Sequence, residues 1–169
     1  MHRGMKETMG LIIRSSDIHA AGCYTTTPVA RGTRLVEYTG PRITKDRGDE
    51  IYEGRPYTYL FGVGDGEMVI DGHSLAMFLN HCCEPNCETE EDDHGRVWVM
   101  AIRDIAEGEE LTYDYCLYDG DGEEPCYCGA AACRGTMYSD DELLRRKAEA
   151  EKQARAQRRR NKPSNLKRG

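Results

Sequence analysis

Seven of the eight cysteines in the chain lie between positions 82 and 133, and three of them, Cys126, Cys128 and Cys133, fall within eight consecutive positions. Thiols packed this closely pair as disulfides in an oxidising compartment and tend to hold a metal in a reducing one. Residues 1–8 include His2, Arg3, Lys6 and Glu7 but no apolar core segment, so no signal peptide is expected. No stretch approaches the ~18–20 continuous apolar residues of a membrane span either. The expected setting is intracellular and not secreted, in the cytoplasm or in the nucleus on the chromosome, and the metal reading follows. A structural zinc takes four ligands at ~2.3 Å in a tetrahedron. Cys126, Cys128 and Cys133 supply three; Cys82, Cys83, Cys87 and Cys116 are all candidates for the fourth, and spacing alone does not choose. A metal is also needed physically, because Gly129-Ala130-Ala131-Ala132 has too little bulk to fold by burial.

At 169 residues the chain has room for one domain with a core and little more. Residues 11–14, 22–28, 35–38 and 57–63 read as short strands, rich in β-branched and aromatic side chains and ending near Gly or Pro, with 67–70 a further short one. Residues 86–90 and 96–102 flank the polar Asp92-Asp93-His94-Gly95, which is a hairpin signal. Residues 46–52 and 75–79 suit short helices. Many short strands without alternating helices predict a mainly β domain of small sheets rather than a doubly wound one. Ser139-Asp140-Asp141-Glu142 is a capping-box pattern that opens a helix to about Gln157. Few large apolar residues follow Leu143 and Leu144. That helix is therefore expected to dock weakly at its start and project into solvent, with residues 158–169 disordered.

Charge divides the chain unevenly. Residues 1–138 carry 12 Lys and Arg against 25 Asp and Glu, a net −13, whereas residues 139–169 carry 11 against 5, a net +6. An acidic body attracts basic polypeptides and repels nucleic acid; a basic tail does the reverse.

Two more segments stand out: Asn80-His81-Cys82-Cys83-Glu84-Pro85-Asn86-Cys87, a thiol-rich turn too polar for plain core, and Glu109-Glu110-Leu111-Thr112-Tyr113-Asp114-Tyr115, whose alternating aromatics also suit ordinary strand packing. With the thiol cluster they resemble the SET-domain protein-lysine methyltransferases, in the trithorax-like and Set2-like branches. The first, preceded by Phe78-Leu79, is similar to that family's Phe-x-Asn-His-Ser-Cys-x-Pro-Asn-Cys. The second resembles its Glu-Leu-Thr-Tyr/Phe-Asp-Tyr, and Cys126 to Gly135 resembles its post-SET zinc segment. Upstream, Ile18-His19-Ala20-Ala21-Gly22-Cys23-Tyr24 stands where the family has Ile-His-Gly-x-Gly-x-Phe. Leu35-Val36-Glu37-Tyr38-Thr39-Gly40 resembles the strand that ends Glu-Tyr-x-Gly. No cysteine-rich pre-SET region precedes these motifs.

The resemblance implies a SET fold of small β-sheets with a pseudoknot, short helices, a zinc-bound post-SET lid and a C-terminal helix and tail. Residues 1–9 would be a lead, 10–117 the SET domain, 118–138 the post-SET segment and 139–169 a helical then disordered basic tail. It implies that Cys83 joins Cys126, Cys128 and Cys133 on one zinc ion. Tyr115 becomes the catalytic tyrosine, with Tyr38, Tyr59 and Tyr113 lining a lysine channel. S-adenosylmethionine would be held by His19, Ala20, Ala21, Gly22, Tyr59, Asn80, His81 and Tyr115. The implied substrate is a basic segment of a histone or another lysine-rich protein, and Tyr113 at the Tyr/Phe switch position implies mono- or dimethylation. Four residues depart from the pattern: Ala20 for glycine, Met77 for arginine, Cys82 for serine and Tyr24 for phenylalanine. A Cβ at position 20 is expected to crowd the cofactor turn. Ala20 and Met77 favour an alternative, a catalytically weak SET-like zinc module that binds protein or chromatin. A further reading gives residues 152–169 a nucleic-acid contact, and no membrane partner is expected.

Overall fold

Alternation along Val97-Trp98-Val99-Met100-Ala101 places Val97, Val99 and Ala101 in the core and turns Trp98 and Met100 outward, so this strand becomes the centre around which the others assemble. The computed structural model describes residues 10–55, 57–120 and 122–161. Along the chain run β1 (Leu11–Ser15), β2 (Ala21–Thr25), β3 (Arg34–Glu37), β4 (Arg42–Thr44), α1 (Lys45–Tyr52), β5 (Leu60–Val63) and β6 (Met68–Asp71). A single 3₁₀ turn (Leu75–Phe78) leads into β7 (Asn80–His81), β8 (Cys87–Glu91), β9 (Val97–Ala101), β10 (Thr112–Tyr113) and α2 (Asp140–Arg160). The strands form four small sheets among the described residues: β1–β2, β3–β9–β8, β4–β6–β5 and β7–β10. The mainly β expectation holds, and no described helix is long and apolar enough to cross a membrane.

The β7–β10 sheet is the unusual one. Its two-residue strands pair in parallel, Asn80 with Thr112 and His81 with Tyr113, after the chain has built the whole β8–β9 hairpin between them. This is the knot-like crossing expected of the fold. Two hydrogen bonds per strand do not hold such a crossing, and Asn86 reinforces it. Its Nδ2 donates to the Glu110 carbonyl at 2.7 Å and its Oδ1 accepts from the Thr112 amide at 2.9 Å, with the side chain buried. On the far side of β10, the Leu111 amide donates to the Cys23 carbonyl of β2 at 2.7 Å. Leu79, Leu111, Ile105 and Cys23, all essentially inaccessible, fill the space between. Gly40 closes the strand motif for a steric reason, since a Cβ there would stand 1.7 Å from the Asp71 carbonyl oxygen.

The structure corrects the expected tail. Ser139 caps α2 by accepting from the Glu142 amide at 3.2 Å, but the Glu142 carboxylate does not return to Ser139. It is buried against Arg145 and Arg146, at 2.6 and 2.7 Å, while the Ser139 amide donates to the Leu117 carbonyl. Docking at the helix start is firm rather than weak. The Arg146 guanidinium lies 3.8 Å from the centre of the buried Tyr138 ring, and its Nη2 reaches the Gly120 carbonyl at 2.7 Å. Tyr138 itself donates to the Gly122 carbonyl at 2.9 Å. Helix α2 continues past Gln157, so residues 158–160, expected to be disordered, are helical. Residues 1–9 and 162–169 lie outside the described residues.

Asn86→Ala would strand the Glu110 carbonyl and the Thr112 amide in the core, each costing about 1–3 kcal/mol. The expected outcome is a fall in thermal midpoint on the order of 5–10 °C, read by circular dichroism.

Candidate active site and metal centre

The turn between β1 and β2 is shaped by one carboxylate. Glu110 accepts from Ser16 Oγ at 2.8 Å, Tyr24 Oη at 2.9 Å and Asn80 Nδ2 at 2.7 Å. Asn80 Nδ2 also reaches the Ala21 carbonyl at 3.1 Å, and Ser16 Oγ accepts from the Ile18 amide at 3.0 Å. The expected cofactor residues His19, Ala20, Ala21 and Gly22 thus form a turn stapled to β7. A Cβ at Gly22 would stand 2.1 Å from Glu110 Oε1, so a side chain there would push aside the carboxylate that gathers the turn. Ala20 takes a φ of 37°, in the left-handed region, and its carbonyl still accepts from the Ser16 amide at 3.3 Å. The turn therefore closes with alanine there, at a backbone cost of about 1 kcal/mol. With Nδ2 committed, Asn80 Oδ1 is an acceptor that meets no donor among the described residues and stays open to solvent or a ligand. An ordered turn beside an unpartnered acceptor fits an ammonium-bearing amphiphile such as S-adenosylmethionine.

Beside this turn stands a wall of aromatic rings. Tyr38 packs on Phe61 at 5.0 Å, Phe61 lies 6.4 Å from Tyr113, Tyr113 lies 4.9 Å from Tyr115, and Tyr115 meets His81 edge-on at 5.3 Å. Tyr38 donates to the Tyr59 carbonyl at 2.8 Å, and Tyr115 donates to the Leu79 carbonyl at 2.9 Å. Burial pushes the Tyr115 hydroxyl up to about 12 and raises Tyr38 and Tyr113 as well. All three are neutral phenols at physiological pH and do not serve as bases. The Tyr113 hydroxyl has no hydrogen-bond partner among the described residues. The Tyr59 ring is 37% exposed and stands at the mouth of the wall rather than within it. Phe61 was not anticipated. It lies within a strand that could equally be read as ordinary core, and only the β5–β6 register turns it toward the tyrosines.

Four thiols converge at the far side of His81. The Sγ atoms of Cys83, Cys126, Cys128 and Cys133 all lie within 4.8 Å of one another, and Cys83 to Cys126 is 3.8 Å. Tetrahedral bonds of ~2.3 Å require sulfurs about 3.8 Å apart, so the donor set fits one zinc ion. Amides already point at the sulfurs as they do at thiolates: Arg134 to Cys83, Cys128 to Cys126 and Gly135 to Cys133, each at 3.4 Å. Although burial opposes it, donation from neighbouring amides and thiols pulls Cys128 down to about 6. Cys82, Cys87 and Cys116 stand outside the four. The fourth ligand, open on spacing alone, falls to Cys83 because β7 delivers it to the cluster.

The thiol centre and the aromatic wall share a closed circuit of contacts. His81 Nδ1 accepts from the Tyr115 amide at 3.1 Å, and its Nε2 faces Cys83 Sγ at 3.3 Å. Burial lowers the basicity of His81, so the ring is neutral and Nε2 carries the proton toward sulfur. Asp114, which lies 3.4 Å from Nδ1, is neutralised from its other side by Arg134 in a two-pronged pair at 2.6 and 2.8 Å. Arg134 in turn belongs to the thiol segment. Glu110, Asp114 and Arg134 lie within the motifs quoted from the sequence, but their roles as staples depend on partners that only the fold brings to them.

Comparison with known proteins agrees with this geometry. The SET domain family model matches residues 20–116. The chain is 37% identical over 145 residues to the histone-lysine N-methyltransferase trithorax of Drosophila melanogaster, which covers 79% of this chain and 4% of that protein. It is 39% identical over 160 residues to the histone-lysine N-methyltransferase ATX2 of Arabidopsis thaliana, covering 85% of this chain and 14% of the relative. A Saccharomyces cerevisiae histone-lysine N-methyltransferase, H3 lysine-4 specific, is 38% identical over 146 residues, covering 78% and 13%. The chain thus spans a small fraction of the relatives it matches.

Two outcomes are expected from the metal centre. Elemental analysis should find one zinc per chain, retained by Cys82→Ser, Cys87→Ser and Cys116→Ser and lost from Cys83→Ser or Cys126→Ser. Arg134→Leu should cost about 2 kcal/mol in chemical denaturation, because it leaves the partly buried Asp114 carboxylate uncompensated beside His81.

Proposed function

The chain belongs to the SET-domain family, and from that premise we propose that it transfers a methyl group from S-adenosylmethionine to a lysine of a basic, flexible protein segment. The observation that carries this reading is the contiguous wall of neutral phenols, Tyr38, Tyr113 and Tyr115, set against the turn of residues 19–22. The cofactor supplies an electrophilic methyl on a sulfonium. His19, Ala20, Ala21 and Gly22 with Tyr59, Asn80, His81 and Tyr115 would hold it, Asn80 Oδ1 accepting from its ammonium.

The work left to the protein is to present an amine with a free lone pair, in line and away from water. A channel of aromatic faces disfavours the ammonium form of a lysine, so the proton leaves to solvent before or as the side chain enters. Because the Tyr115 phenol is neutral and already donates to the Leu79 carbonyl, it acts by orientation and by its dipole, not as a base. Tyr38, tied to the Tyr59 carbonyl, fixes one side of the channel. Tyr113 has a hydroxyl free to hydrogen-bond the amine, and that contact occupies room a methylated amine would need. Mono- and dimethylation follow as the main products. One zinc ion on Cys83, Cys126, Cys128 and Cys133 would fasten residues 118–138 over the channel, completing the division of the chain into SET domain and lid.

The acidic surface of residues 1–138 favours a lysine-rich substrate. The relatives' names specify histones, and a histone tail meets that requirement, which would place the protein on chromatin in the nucleus. The competing zinc-module reading rests on Ala20 and Met77. A turn that closes around Ala20 weighs against it, and calorimetric titration with S-adenosylmethionine decides between the two.

With a labelled methyl donor and a lysine-rich peptide, Tyr115→Phe should cut transfer on the order of 100-fold or more while leaving the thermal midpoint within about 3 °C. Tyr113→Phe should move the product distribution toward higher methylation by intact mass. An unchanged distribution would remove Tyr113 from the amine site. The rate should climb with pH toward the lysine value of about 10.4, with no tyrosine limb beneath it.

A further inference from the structure

Helix α2 has two halves with different jobs. The first is anchored through Glu142 and Arg146, as described above. Every residue from Lys147 to Asn161 is exposed, and the last ion pair along the helix is Arg145 with Glu149, at 2.7 Å. After Glu151 the described helix carries Lys152, Arg155, Arg158, Arg159 and Arg160 with no acidic residue among them. Lys152, Arg155 and Arg159 recur at i, i+3 and i+7 and so share one face, with Arg158 flanking it.

Distance decides what this face can bind. At 1.5 Å per residue, Lys152 stands about 9 Å and Arg160 about 21 Å beyond the anchor at Arg146. Screening at physiological salt acts over about 8 Å, so these cations are largely uncoupled from the acidic body. The body of a second copy is the poorer partner, because its net −13 is spread over 138 residues and its paired carboxylates are lost to a further cation. Lys45 with Asp119, Arg96 with Asp92 and Arg103 with Glu109 lie at 2.9, 2.8 and 2.8 Å. A nucleic-acid duplex offers unneutralised phosphates at one charge per ~1.7 Å of axis.

We propose that the distal half of α2 is a DNA-binding arm, in which Lys152, Arg155, Arg158, Arg159 and Arg160 grip the phosphate backbone of double-stranded DNA. Duplex is favoured over single strand because residues 139–169 contain no aromatic side chain on which bases could stack. DNA is favoured over duplex RNA because a straight helix about 10–12 Å across fits the B-form major groove, while the A-form groove is too narrow. The contact carries no base readout of its own and holds the acidic body near basic proteins seated on the same duplex. Because the arm is continuous with a helix start packed on Gly120, Gly122 and Tyr138, the duplex would also be held at a fixed angle to the lid.

The test is fluorescence anisotropy of the full chain with a labelled duplex of about 20 base pairs across salt from about 50 to 200 mM. Five phosphate contacts predict a slope of log affinity against log salt of about −4.5, a fall of roughly 500-fold over that range. Replacing Lys152, Arg155, Arg158, Arg159 and Arg160 together by Gln, which preserves helix propensity, should weaken binding at least tenfold and flatten the slope. Methyl transfer to a free lysine peptide should not change, so failure here is separable from failure of the enzymatic reading. Wild-type affinity and slope in the Gln variant would overturn the proposal. So would equal affinity for single-stranded DNA or duplex RNA, or a sedimentation-detected self-association that the Gln substitutions abolish.

Discussion

Everything at the candidate site hangs on two short strands being laid side by side in parallel. A pairing of Asn80 and His81 with Thr112 and Tyr113 contributes too few backbone hydrogen bonds to persist alone. It persists because side-chain amides are used as staples on both sides of the crossing, Asn86 to the backbone of residues 110 and 112, and Asn80 to Glu110 and the turn of residues 19–21. The consequence is functional. One crossing delivers the turn, the neutral His81, the phenol of Tyr115 and the thiol of Cys83 to a single region. Three segments far apart in sequence then depend on one another's placement. A site built this way is either assembled or absent.

The metal centre belongs to the same circuit and is not an isolated clasp. Arg134 donates its amide to Cys83 and its guanidinium to Asp114, while His81 faces Cys83 with one nitrogen and the Tyr115 amide with the other. Loss of the thiol centre would therefore disturb Tyr115 through its own backbone. That coupling gives a physical reason for placing a thiol cluster fit for a metal next to a wall of aromatic rings. A Gly- and Ala-rich lid cannot hold itself down by burial, and anchoring it at Cys83 makes the order of the lid and of the tyrosine a single event.

How much of this was legible beforehand depended on whether the signal was local. Strands with clear alternation, such as β9, and the hairpin across residues 92–95 were readable from their periods, as were Ser139 as a cap and three of the four thiols from their spacing. Strand β4 was not, because Arg42-Ile43-Thr44 follows a proline and carries one apolar residue; its pairing with β6 makes it a strand. Nor was β7, since two residues have no period, and nothing near Cys83 marks it above Cys82. The end of the helix was misplaced because residues 158–160 look like a solvated charge run, whereas arginine is a good helix former and α2 is nucleated by a buried Glu142. Glu110 shows the general limit most clearly. Its carboxylate gathers Ser16, Tyr24 and Asn80, and none of those partners lies within 29 residues of it in sequence.

The departures at positions 20, 24 and 82 sort by what each touches. Tyr24, in place of phenylalanine, adds a hydroxyl whose one proton goes to Glu110 at 2.9 Å, with the Ser15 carbonyl at 3.1 Å as the competing acceptor, and so strengthens the staple on which the turn of residues 19–22 depends. Ala20 costs the same turn something by occupying a left-handed conformation. The two changes act on one loop with opposite signs, and the additional charge-assisted hydrogen bond of Tyr24 is of the size needed to offset the alanine. Cys82, in place of serine, points its thiol at the Glu84 carbonyl, a weaker bond than a hydroxyl would make, yet it stands next to a metal ligand where a second thiol is tolerated because the Cys83 position is fixed by β7. Together they leave the same side chains holding the turn of residues 19–22, the row of tyrosines and the four thiols in place.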